Sequence, residues 1–92
     1  MSIKRIIPYQ PIDVTNPEYK AGIVALQALR RGDADELQQK RALDFIIVTL
    51  ARTYELSYCS DPYDTAFAEG KRFVGGQIAT LTNVNLGLLK KT

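Results

Sequence analysis

Residues 43–51 read Leu-Asp-Phe-Ile-Ile-Val-Thr-Leu-Ala, so an apolar side chain falls on nearly every face a helix through them could present. A helix that is apolar all round must be covered on more than one side. The chain has 92 residues to do the covering, enough for one domain. A domain of that size buries only about 60–65% of the surface its unfolded chain exposes. Its single cysteine, Cys59, cannot close an internal disulfide, and the sequence carries no zinc motif. Oligomerisation or docking is the remaining common source of stability for so small a core.

Helix signals divide the chain into three. Asn16-Pro17-Glu18 supplies a capping side chain, a proline suited to the first helical position and an acid at the positive helix end. Tyr19, Ile23, Leu26 and Leu29 follow at helical spacing, and Arg30-Arg31-Gly32 reads as a cationic last turn with a left-handed stop. This predicts a helix over 17–31. Asp33-Ala34-Asp35-Glu36 resembles a capping box with Asp33 as the cap. The apolar positions Leu37, Leu43, Ile46, Ile47, Leu50, Ala51 and Tyr54 then predict a central helix over 34–57. Asp61-Pro62 caps a third, in which Phe67, Gly70, Val74, Ile78 and Leu81 recur every three or four residues to about 82. Gly75-Gly76 inside that pattern predicts a kink, a helix end or a close approach of another backbone. The expected fold is all-α: three helices, the last two forming the main hairpin.

The flanks read differently. Pro8 and Pro11 exclude helix from residues 1–16, yet Ile3, Ile6, Ile7, Tyr9 and Ile12 make that stretch too apolar for a disordered tail. It is expected to be an extended arm lying on its own body or a neighbour's. Residues 83–92 form a short tail of mixed leucine and lysine.

With no histidine, the chain lacks the commonest general base and metal ligand, and a Ser-His-Asp or Cys-His nucleophile cannot be built within it. No enzymatic activity, cofactor or small-molecule substrate is expected. No apolar run approaches the roughly 20 residues of a membrane span, so no membrane partner is expected. A net charge of +2 gives no broad basic field. Arg30, Arg31, Lys40 and Arg41, with Lys20, could nonetheless gather into one basic patch for nucleic acid.

Local features each have a plainer explanation beside a sharper one. Asp33, Asp35 and Glu36 are explained by capping and lack the ligands of a calcium loop. Cys59 has no histidine or adjoining basic residue to activate it. Tyr54, Tyr58, Tyr63, Phe67 and Phe73 beside Arg52, Lys71 and Arg72 could stack single-stranded bases, but they also suit a small core or a protein interface. Glu69 and Arg72, three apart, can pair along one helix face, across an interface, or with Arg52 or Glu55. Gly70 between them could admit a neighbouring helix. Candidate interface residues are therefore Ile6, Ile7, Tyr9, Glu69, Gly70, Arg72 and Phe73.

The helix ending in aromatics at Tyr58, the Asp61-Pro62 turn and the run Ala-Phe-Ala-Glu-Gly-Lys-Arg-Phe-Val-Gly at 66–75 resemble a small domain of tailed bacteriophages called "Bbp-nineteen-like". The likeness spans about residues 40–82 and singles out Asp61, Pro62, Glu69, Gly70 and Arg72. It implies a virion-associated or morphogenesis protein, found in the virion and in the host cytoplasm during assembly. Its partners would be copies of itself or other virion proteins. The competing expectations are a nucleic-acid-binding packaging or regulatory accessory and a small inhibitor of a host protein.

Overall fold

A computed structural model describes residues 8–85 and Gly87. Among them are three helical segments and no strand, as the sequence pattern predicts. A 3₁₀ turn at Pro17–Tyr19 leads into α1, Lys20–Arg31; α2 runs over Glu36–Asp44 and widens into a π-helical stretch, Phe45–Leu50; α3 spans Pro62–Leu81. Of the expected arm, residues 1–7 lie outside the described residues, as do Leu86 and 88–92 of the tail.

The helix starts follow the chemistry of their caps. Asn16 Oδ1 accepts from the Glu18 amide at 2.9 Å, and Asp61 Oδ1 accepts from the Tyr63 amide at 2.8 Å, each with proline at the first helical position. Gly32 ends α1 in the left-handed region at φ 81°, and the Asp33 amide reaches back to the Ala28 carbonyl at 3.1 Å. The cap of α2 lies two residues later than expected. Asp35, not Asp33, accepts from the Gln38 amide at 2.8 Å, and Gln38 Oε1 accepts from the Asp35 amide at 3.2 Å. Asp33 faces Arg31 instead, at 3.4 Å. Gly32 needs the residues after it to complete the stop of α1, which pushes the next cap along the chain.

The second helix is also shorter than the 34–57 its composition predicts. Its helical run closes at Leu50, and Arg52 takes a positive φ of 51°. The widened turn is bonded Ala51 N–H to Ile46 carbonyl at 2.9 Å, then Thr53 N–H to Ile47 carbonyl at 3.2 Å. The Thr53 hydroxyl donates to the same Ile47 carbonyl at 2.7 Å. These bonds satisfy the open end of the helix, so the chain leaves it without Gly or Pro.

The most extensive packing joins α1 to α2, not the last two helices. Small residues are the reason. A β-carbon on Gly22 would stand inside the Phe45 ring, 2.6 Å from Cγ, and Ala25, Ala28 and Ala42 are buried along the same seam. Tyr19 closes one end, its ring edge-on to Phe45 at 6.1 Å. By contrast α3 meets the second helix chiefly along the π-helical stretch, because the helix that would have lain along it stops early.

The result is flat, with extents of 52 × 34 × 17 Å. Two helices packed side by side span about 13–15 Å between their outer Cα atoms, so the short dimension holds no more than two layers. The radius of gyration is 15.9 Å, against about 12 Å for a compact domain of this length.

Candidate functional site

The core hides small side chains rather than large ones. The most buried apolar residues are Ala25, Ala28 and Ala42, and no large side chain is fully buried among the described residues. Phe45 and Ile47 come nearest, at 7% and 6% exposure. Meanwhile Leu56 is 95% exposed, Tyr63 86%, Phe73 67% and Leu81 64%. Phe67, Val74 and Leu81, three of the positions that mark the apolar stripe of α3, are all exposed, because the buried side of that helix is Asp64, Ala68 and Gly75. The chain exposes 7625 Å², roughly 2,000 Å² more than a compact protein of its mass.

Of the expected interface residues, Tyr9 lies on the molecule's own surface. Its ring meets Phe67 edge-on at 5.8 Å, and the Pro8 carbonyl next to it accepts from the Lys71 ammonium. At this point the arm is packed on α3 of its own chain. Ile6 and Ile7 lie outside the described residues. Glu69 and Arg72 pair along α3 at 2.8 Å. Gly70 is exposed, and a β-carbon there would meet nothing within 4 Å. The close approach belongs to Gly75, where a β-carbon would collide with the Thr53 hydroxyl and lie 2.7 Å from Ala51 Cβ.

That contact organises a joint between α3 and the 51–59 loop. Arg72 Nε donates to the Thr53 carbonyl at 3.1 Å while its Nη1 holds Glu69, and the Ser57 hydroxyl donates to the same Glu69 carboxylate. The Ser57 hydroxyl and then Arg72 hold the Glu69 carboxyl below the usual carboxylate range. Further along, Thr65 Oγ1 accepts from the Cys59 amide at 2.8 Å, pinning the loop to the first turn of α3.

Between loop, arm and α3 lies a cleft of about 350 Å³, walled by Pro8, Arg52, Leu56, Ala68, Lys71 and Arg72. Glu55 and Cys59 complete its lining. Burial, then repulsion from Arg52, lowers the Lys71 pKa, against an opposing pull from Glu55. Nothing in residues 51–57 announces a break, so sequence alone could not find this cleft; the Gly75-Gly76 pair was its one visible signal.

The four expected nucleic-acid cations are exposed. Arg31 is engaged with Asp33, and Arg41 lines a separate open groove with Ala21, Gly22 and Asp44. Ala21 lies nine residues before Arg30 in α1, which is about 13 Å along a helix. Among the described residues no group of three His, Cys, Asp or Glu could hold a metal ion, and no helix is long and apolar enough to cross a membrane. Set against known proteins, the chain matches no family model, no curated protein and no solved structure.

Proposed function

We propose that this protein is a non-enzymatic structural component of a tailed-bacteriophage virion, assembling by helix packing with copies of itself or with a larger portal, neck, tail or internal protein. The observation that supports this most is the flat, small-residue core with Tyr63, Phe73, Val74 and Leu81 left in water along α3. Large contiguous apolar surface marks interaction sites. The phage assignment rests on the resemblance of residues 40–82 alone.

The test is whether mass spectrometry finds the chain in purified particles at fixed stoichiometry, together with light scattering of the pure protein alone and with candidate virion partners. A well-folded monomer that engages no virion protein and is absent from particles overturns the reading. A second reading, a nucleic-acid-binding packaging or regulatory accessory, draws on Arg30, Lys40 and Arg41, which make no ion pair among the described residues. It requires DNA affinity that falls steeply with salt and is lost on joint Arg30→Ala and Arg31→Ala substitution.

A further inference from the structure

The cleft beside the joint has an unmatched charge and a strained residue at its rim. Arg52, Lys71 and Arg72 stand against Glu55 in the wall and Glu69 beside it, which leaves one positive charge in excess. Glu69 is committed to Arg72 and Ser57, whereas Arg52 makes no ion pair among the described residues. Lys71 spends one proton on the Pro8 carbonyl and lies 6.0 Å over the Phe67 ring. The rest of the wall, Pro8, Leu56 and Ala68, is apolar.

Arg52 is also the one residue other than glycine among those described whose φ is positive. Such a conformation is uphill for any side chain with a β-carbon, and it persists where its surroundings over-determine it, often at ligand clamps. Here the Thr53 bonds to Ile47 and Arg72 hold the turn, and the strained turn puts Arg52 in the wall of the cleft.

We infer that this cleft receives a carboxylate carried beside an apolar side chain on a partner protein. The acid seats between Arg52 and Lys71, and its apolar neighbour covers Pro8, Leu56 and Ala68. A carboxylate brings one negative charge and matches the excess. A phosphate monoester brings about two and faces Glu55 as well. The inference rests on the reading that the protein works by docking, and it names what the docked chain presents.

Titration of the full chain with acetyl-Leu-Glu-Leu-amide, followed by amide NMR shifts, tests this. The expected result is saturable shifts at Arg52, Leu56 and Lys71, with at least tenfold weaker binding of the Leu-Gln-Leu analogue. Arg52→Gly should lose at least threefold in affinity while raising the urea midpoint, since it removes the cation and relaxes the turn; Lys71→Met should lose affinity too. Equal response to both peptides, or shifts confined to other residues, overturns the inference. So does inorganic phosphate binding the same amides more tightly than the acidic peptide. Incorporation into particles without peptide binding sinks this inference alone; peptide binding by a chain absent from particles keeps the cleft and removes the virion reading.

Discussion

The hydroxyl of Thr53 occupies the space where a β-carbon on Gly75 would stand. The crossing of the 51–59 loop over α3 therefore depends on a missing side chain. Arg72, one turn earlier on α3, fixes the same threonine through its carbonyl. The glycine clears the space and the arginine supplies the bond.

Gly75→Ala should accordingly destabilise the fold by about 1–3 kcal/mol, the usual cost of forcing a methyl group into a filled site. Gly76→Ala is the control. A β-carbon there meets nothing within 4 Å, so the variant should gain about 0.5–1 kcal/mol from helix propensity. Urea unfolding of the two variants, one residue apart and opposite in sign, checks the contact.

Glu69 links stability to acid. Its folded-state pKa lies below the ordinary 4.5 because Ser57 and Arg72 bond the ionised form. The unfolded chain then binds more protons than the folded one as pH falls through 4.5, so the stabilisation is present above that pH and is lost towards the folded pKa. In Glu69→Gln this part of the acid limb should be absent. Unfolding midpoints between neutral pH and the folded pKa would show it as a flatter profile.

Tyr9→Ala should loosen the arm while leaving the helices intact. The edge-on ring contact with Phe67 is worth about 0.5–1.5 kcal/mol in comparable pairs. Amide exchange in residues 9–16 should quicken several-fold, and exchange in α1 should not change. If both segments respond together, the arm is part of the core and not a strap upon it.

Phe73→Ala separates assembly from folding. The side chain is 67% exposed, so stability of the isolated chain should change by no more than about 0.5 kcal/mol. Association, if Phe73 anchors it, should weaken by about 2 kcal/mol, or about thirtyfold in Kd. Sedimentation of the variant over a range of concentrations distinguishes the two.

Much of the architecture was legible because caps are local chemistry. Asn16-Pro17, Gly32 and Asp61-Pro62 each act on amides or carbonyls within a few residues, so the starts of the first and third helices and the end of the first follow from neighbours in the chain. The shift from Asp33 to Asp35 shows the limit: two acids two residues apart are equivalent caps until the stop at Gly32 has chosen between them. The pairing of Glu69 with Arg72 was legible for the same local reason, whereas the close approach within the chain is at Gly75, and Gly70 faces open space.

The sequence by itself determined that this chain is helical and where two of its helices begin. The tertiary structure alone decided where the second helix stops, which glycine admits a neighbour and which cations share a cleft. The helix ends at Leu50 although the segment that follows it, Ala-Arg-Thr-Tyr-Glu-Leu at 51–56, carries no glycine or proline to stop it. That end is set by bonds from Thr53 to Ile47 and from Arg72 and Glu69 to the loop. Contacts between residues up to 19 apart in sequence have energies that no local propensity encodes.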